Sequence, residues 1–200
     1  MKFPHNISRI EAFSDAVFAF AATLLVVAVG SDSEGSVLQI NWLHFLSFAV
    51  SFFALAGIWS VHYNFFRRTH YMDNWIVAIN TILLFLVLYY IFPIKSLINS
   101  WAGTLTMDME SFSSLFQLYS LGFLLIFSCY SLMYWRAYRK TKVDSSDFDL
   151  LFYARHFGIY VIVAAISIAL AKLQWGLTFG LPGIIYGLLG PFCYFHGVQF

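Results

Sequence analysis

Apolar residues are grouped along this chain into six stretches of about 20 residues each, separated by short polar segments. A helix of that length crosses the hydrocarbon core of a bilayer. The stretches lack the alternation of apolar and polar residues that a strand needs, so we predict helices rather than a barrel. The expected fold is an all-α membrane protein with one six-helix domain over residues 1–200, and the predicted spans are 10–30, 43–66, 75–98, 115–138, 151–173 and 176–195.

The composition supports this interpretation. The chain is 60% hydrophobic and only 10% charged, which is too little charge for a soluble domain of 200 residues. Its net charge of +1 gives no basis for nucleic-acid binding. The first span follows Lys2 as a signal peptide would, but Asp15 interrupts the apolar run, so we expect the segment to be retained.

Basic residues predict the orientation. Most of them fall on the side shared by the N-terminus and the second and fourth loops, and basic loops stay in the cytoplasm. They are Lys2, Arg9, Arg67, Arg68, Arg136, Arg139, Lys140, Lys142 and Arg155, whereas Lys95 and Lys172 lie toward the other face. We therefore expect a multi-pass protein of the cell membrane with both termini cytoplasmic.

Asp15 is the first functional candidate, because an ionised carboxylate in hydrocarbon costs about 2.5 kcal/mol or more. Counting from the cytoplasmic ends of the first three spans places Asp15, His62 and Asn80 roughly 8–9 Å deep at 1.5 Å per residue. Trp59 lies one turn deeper than His62. We predict an interhelical hydrogen-bond network at this depth, although a separate local partner for each polar residue is the alternative.

The first helix also carries an apolar stripe. At 100° per residue, Phe13, Phe20, Thr23, Leu24 and Val27 share one face, and Asp15 points about 140° away from Phe20. We expect Asp15 to turn toward the second and third helices. Taken alone, the periodicity of the stripe favours an ordinary lipid-facing or helix-packing surface, so it does not establish a pore.

The motif Arg9-x-x-x-Phe13-Ser14-Asp15, followed by AVFAFAATLLVV, resembles the first helix of the transmembrane protein 175 potassium channel family in its short prokaryotic form. Weaker matches follow in order along the chain. They are Trp59-x-x-His62, Asn80, Phe92-Pro93 and Leu188-x-Gly190-Pro191.

The resemblance implies a homotetrameric potassium channel in the lipid bilayer, with the first helix of each subunit lining the pore. It assigns the constriction to Phe20, Leu24 and Val27, with Thr23 beside it contributing to selectivity. The family usually has isoleucine or leucine where this chain has Phe20. The residues assigned to the network that supports the pore helix are Arg9, Phe13, Ser14, Asp15, Trp59, His62 and Asn80.

The chain lacks TVGYG and any nucleotide-binding motif, so we expect passive conduction, moderate preference for potassium over sodium, and no cofactor or metal apart from the permeating ions. His62 near Asp15 suggests a pH response. Three alternatives remain open at this point. They are a secondary transporter that uses Asp15 as a proton or sodium site, an intramembrane hydrolase built on Ser14, Asp15 and His62, and a non-conducting membrane protein.

Overall fold

The structure is a computed structural model that describes residues 7–30, 42–101, 107–141 and 147–199. Some features discussed above lie outside the described residues. They are Lys2, Lys142, the first predicted loop, and parts of the third and fourth loops. Five long helices occupy the first five predicted spans and extend beyond most of their predicted ends. They are α1 (Ile7–Gly30), α2 (Trp42–Arg68), α3 (Asn74–Trp101), α4 (Met109–Thr141) and α5 (Asp147–Lys172).

The sixth span differs from its predicted form. It was expected to begin at residue 176, but Gly176 and Gly180 have positive φ angles of 63° and 69°, which end one helical path and start another. A Cβ on Gly176 would lie 2.7 Å from Leu181, so this turn requires glycine. Helix α6 (Leu181–Ile184) then begins with Pro182 in its first turn and is followed by a 3-10 turn and α7 (Leu189–Gln199).

Within the described residues, six helical segments are long and apolar enough to cross a membrane, the sixth being Leu181–Val198. The described residues of the first five helices share one apolar core, in which α4 and α5 make the most extensive contact and α3 packs against α4. Its members include Phe18, Phe65, Leu83, Tyr130 and Phe157, one from each of these helices. Of the helices described, α2 and α3 are the two that α1 contacts extensively, so much of its surface faces away from the rest of the described chain.

Polar residues fix the helix ends at the cytoplasmic side predicted from the basic residues. Asp73 precedes α3, and its Oδ1 accepts a hydrogen bond of 2.9 Å from the backbone N–H of Ile76, as an N-cap does. Helix α2 ends at Arg67 and Arg68, whose charges favour the negative end of the helix dipole. The cap at Asp73 and the arginines at the end of α2 therefore define the corner between α2 and α3. This corner lies about two turns or fewer along each helix from His62 and Asn80.

Candidate functional site

Ser14 connects α1 to the interior of the bundle. The side chains of Ser14, His62 and Asn80 are all buried at 2% exposure or less, although they belong to three different helices. Asn80 Nδ2 donates to Ser14 Oγ at 3.0 Å, and Ser14 Oγ donates to the Ile10 carbonyl at 2.8 Å. The amide of Asn80 thus ties α3 directly to α1.

His62 completes this chain of hydrogen bonds. Its Nε2 lies 2.8 Å from Asn80 Oδ1. Because Asn80 donates to Ser14 through Nδ2, its Oδ1 is the acceptor, so Nε2 of His62 carries the proton. The imidazole also packs between the rings of Phe18 and Phe66, whose centroids lie 5.3 and 4.9 Å from that of His62. The donors and acceptors therefore run in one direction, from α2 through α3 to the backbone of α1.

Asp15 makes a separate contact on the neighbouring flank of α1. Trp59 Nε1 donates to Asp15 Oδ1 at 2.8 Å, which joins α1 to α2 a second time. The carboxylate is half-buried, and Trp59 is 39% exposed. This pair lies at the edge of a groove of about 380 Å³ between α1 and α2. The polar cluster thus has a buried part centred on Asn80 and a surface part at Asp15.

The pairing differs from the expected one in a single respect. The positions of residues around the first helix suggested that Asp15 faces both α2 and α3, but among the described residues it is Ser14 that bonds to α3. Ser14 points into the bundle because it lies 100° around the helix from Asp15. Ser14, Asp15 and His62 consequently do not form a hydrolase relay, since Ser14 Oγ donates to a backbone carbonyl and Asp15 accepts from Trp59.

The apolar stripe of α1 is largely uncovered in the single chain. Phe13, Phe20 and Val27 are 61%, 57% and 67% exposed. Leu24 is half-buried and packs against the core, so it lies at the margin of the stripe. Thr23 is exposed, and its Oγ1 donates to the Phe20 carbonyl at 2.7 Å. Arg9 is exposed at the start of the same helix.

Sequence reasoning missed two contributors to this region. Val26 is 56% exposed and widens the uncovered face of α1 beyond the predicted stripe. Tyr130 of α4 is fully buried, and its hydroxyl donates to the Ile58 carbonyl of α2 at 2.8 Å. At 100° per residue Val26 lies about 120° around the helix from Phe20, on the side of Asp15, so periodicity did not include it in the stripe. A single tyrosine in an apolar span likewise gives no signal. Among the described residues, no group of three His, Cys, Asp or Glu side chains is placed to hold a metal ion.

Known proteins share both the sequence and the fold of this region. The family model described as the endosomal/lysosomal potassium channel TMEM175 matches residues 9–93, which contain the whole polar cluster. A potassium channel from Marivirga tractuosa is 35% identical over 159 residues, covering 72% of this chain and 64% of the relative. A crystal structure of a variant of the potassium channel MtTMEM175, bound to a nanobody–MBP fusion, has a TM-score of 0.76 at 29% identity and covers 99% of this chain and 94% of that one. Residues 9–93 match the TMEM175 family, and the chain as a whole is similar to TMEM175 channels in sequence and fold.

A second TMEM175 structure agrees. The crystal structure of a lysosomal potassium-selective channel TMEM175 homolog from Chamaesiphon minutus has a TM-score of 0.59 at 27% identity and covers 92% of this chain and 97% of that one. The chain spans just under two thirds of the length of the Marivirga relative. The predicted all-α class with six membrane-spanning segments is confirmed by these TMEM175 structures and by the six apolar helical segments.

Proposed function

We propose that this chain is the subunit of a passive, moderately selective potassium channel in which α1 of four copies surrounds the pore. The observation that carries the proposal is the exposed stripe of α1, which leaves Phe20 and Val27 uncovered in a chain whose relatives are named as potassium channels. Among the described residues, the core that α1 shares with the other helices is apolar apart from the Ser14–Asn80–His62 hydrogen bonds, whose groups are bonded to one another. A pore between copies, rather than through one copy, fits this surface.

The proposed constriction consists of Phe20, Leu24 and Val27. Rings of apolar side chains close a pore by excluding water, because a narrow apolar passage does not hydrate an ion. Phe20 and Val27 lie about 10 Å apart along the helix at 1.5 Å per residue, so the constriction extends over nearly two turns. Leu24, at the margin of the stripe, would narrow the passage only where neighbouring copies turn it toward the axis.

Thr23 is the proposed polar contact for the permeating ion. Its hydroxyl proton is used in the bond to the Phe20 carbonyl, so the lone pairs of Oγ1 face away from the helix. Oxygen lone pairs are the ligands that replace the water of an alkali cation. Four single hydroxyls offer fewer oxygens than stacked rings of carbonyls, which supports a moderate rather than a strict preference for potassium.

The polar cluster has the role of fixing α1. The Ser14–Asn80 and Asp15–Trp59 bonds hold the helix to α3 and α2 from two directions. Because these two contacts point in different directions around α1, together they fix the rotation of the helix about its axis. One contact alone would leave that rotation less restricted. In this proposal the cluster keeps Phe20 and Thr23 directed away from the subunit core. Arg9 and Phe13, on the same helix, are assigned to this support by family resemblance.

The proposed location is the cell membrane of a prokaryote, with both termini in the cytoplasm. The described arginines at the end of α2 and α4 support this orientation, because basic residues remain on the cytoplasmic side.

Potassium flux from liposomes tests the function. In purified protein reconstituted under a potassium gradient, we expect Phe20→Ala to raise passive flux several-fold, because a smaller ring of side chains admits water. Phe85→Ala is the matched control, since Phe85 of α3 is 68% exposed and lies outside the stripe. Its flux should equal that of the parent. Equal flux from both variants would contradict the constriction at Phe20. Transport that saturates and is coupled to protons or sodium would contradict the channel and favour a carrier.

A further inference from the structure

Three arginines at the cytoplasmic end of the helices stack on aromatic rings. The Cζ atom of Arg68 lies 4.1 Å from the centroid of the Tyr153 ring. Arg67 and Arg139 lie 4.8 and 4.9 Å from the rings of Tyr63 and Trp135, respectively. All three arginines are exposed. Each distance is within the range of a cation–π contact, which orders an otherwise flexible side chain.

These arginines belong to one end of the bundle. Arg136, near the end of α4, forms an ion pair of 2.8 Å with Asp73. Asp73 lies five residues after Arg68, the last residue of α2, so the ends of α2 and α4 lie on the same side of the bundle. Arg68 reaches Tyr153 in the first turns of α5, and Tyr153 in turn contacts Tyr134 of α4 at 5.4 Å between centroids. Arg68 is thus ordered by a different helix from its own and lies where α2, α4 and α5 meet.

Stacking leaves most of the edge of the Arg68 guanidinium available for a further ligand, although the hydroxyl of Tyr134 lies beside part of that edge. The five N–H donors of arginine lie in the plane of the group, so a ring that covers its face does not occupy its edge. Arg136 shows the contrasting arrangement. Its Nε and Nη2 both donate to Asp73 Oδ2, at 2.9 and 2.8 Å, and its edge is therefore directed at a carboxylate of the protein.

The charge of this end favours an anion. Four exposed basic residues lie here, Arg67, Arg68, Arg139 and Lys140, and they outweigh the exposed carboxylate of Asp149, which lies one turn before Tyr153 on α5. The one described carboxylate in the α2–α3 corner, Asp73, is held by Arg136. Basic residues at a membrane boundary are attracted to anionic lipid headgroups, by about fivefold in affinity for each charge.

We propose that Arg68, assisted by Arg67, binds the phosphate group of an anionic membrane phospholipid at this boundary. The site lies at the end of a span, where a headgroup phosphate is found, and the tyrosine rings that order the two arginines are suited to the same interfacial depth. A bidentate contact from Arg68 to the phosphate would hold the lipid against the junction of α2 and α5. The proposal depends on the membrane fold and is independent of whether the pore conducts.

Lipid retention tests the site. Purified protein is exchanged from mixed phosphatidylcholine and phosphatidylglycerol into detergent, and the bound lipids are counted by mass spectrometry. We expect the parent to retain phosphatidylglycerol selectively and Arg68→Gln to lower its affinity by more than about fivefold, the cost of losing one charge, because the bidentate contact is lost as well. Lys140→Gln is the control, because it removes the same charge from the same end and Lys140 has no planar fork to stack or to bind a phosphate bidentately. Its affinity should fall by about fivefold at most, the effect of one charge, and an equal loss from both variants would overturn the site in favour of diffuse attraction.

Two further measurements separate the alternatives. Arg68→Lys keeps the charge but loses the planar fork, so we expect it to lower the affinity for phosphatidylglycerol several-fold while keeping the preference for phosphatidylglycerol over phosphatidylcholine. Parent-like affinity in Arg68→Lys would refute the bidentate contact. Excess inorganic phosphate should leave the bound lipid in place, and its complete displacement would assign the site to a soluble anion instead. If Arg68→Gln fails to fold by circular dichroism, Arg67→Gln replaces it, with a smaller expected loss than that predicted for Arg68.

Discussion

Asn80 occupies a position that an apolar residue of similar size cannot replace. It accepts from His62 and donates to Ser14 inside a core where both partners are excluded from solvent. Asn80→Leu would leave the N–H of His62 and one lone pair of Ser14 without their present partner. Because each buried unsatisfied group costs about 1–3 kcal/mol, we expect a loss of about 2 kcal/mol or more in the free energy of unfolding, seen as a lower unfolding temperature in detergent.

The neighbouring Thr81 supplies the control for this substitution. It is exposed, and its Oγ1 donates only along its own helix to the Val77 carbonyl at 2.9 Å. Thr81→Ala should therefore change the free energy of unfolding by about 0.5 kcal/mol or less. If both variants unfold at the same temperature, the buried hydrogen bonds of Asn80 contribute nothing specific.

The same cluster shows how far sequence reasoning reaches at the scale of residues. The rise per residue along a helix gives depth, and it placed Asp15, His62 and Asn80 at one height. Rotation and hydrogen-bond direction decide the partners, and neither can be read from spacing with enough accuracy. Asp15 therefore bonds to Trp59, while the adjacent Ser14 takes the contact with Asn80.

At the scale of elements, Asp73 links the start of α3 to α4. Burial alone would raise its pKa, but hydrogen bonds from the Ile76 N–H, from Arg136 and from Tyr71 outweigh burial and hold the pKa below its ordinary value. A carboxyl group with a lowered pKa in the folded state stabilises the protein fully above its ordinary pKa and loses that contribution as the pH falls through the lowered value. Acid should therefore loosen this corner, beginning below about pH 4.

Asp73→Asn tests this linkage because asparagine still caps a helix but carries no charge. We expect the variant to be less stable at neutral pH by about 1 kcal/mol, and to show a smaller decline in unfolding temperature between pH 5 and pH 3 than the parent. Asp108→Asn is the matched control at the start of α4. Asp108 is exposed, and the hydrogen bond from Ser111 lowers its pKa without an ion pair to another helix. An undiminished acid response in Asp73→Asn would show that the ion pair does not set it.

The helices could be predicted where the length of an apolar stretch is enough to determine that a span forms. Five spans met that condition, and their helices continue past the predicted ends because polar residues such as Arg67 and Arg139 also extend a helix into the interface. The sixth failed at its start because hydropathy does not report the sign of φ. Gln174 has a φ of 55°, and its side chain gives no sign of that conformation in the sequence.

At the scale of the whole molecule, the surface of α1 is unsuited to lipid. The bond between Asp15 and Trp59 lies at an open groove between α1 and α2, and a carboxylate in contact with acyl chains is costly. The adjacent strip of α1 consists of small residues, including Ala16 and Ala19, which permit close approach of another helix. A second copy of the chain would cover the carboxylate and continue the apolar stripe around an axis.

Ala19→Trp tests this assembly, because a large side chain in the groove would block a neighbouring copy while projecting from the outer surface of its own subunit. We expect the particle mass, measured by light scattering in detergent with the detergent contribution subtracted, to fall from four chains toward one. Ala78→Trp makes the same change at an exposed position of α3 and should preserve the mass of the parent. If Ala19→Trp retains the mass of four chains, this groove is not a subunit interface. In that case the exposed stripe of α1 would have to face lipid, and the pore proposed along it would lose its physical basis.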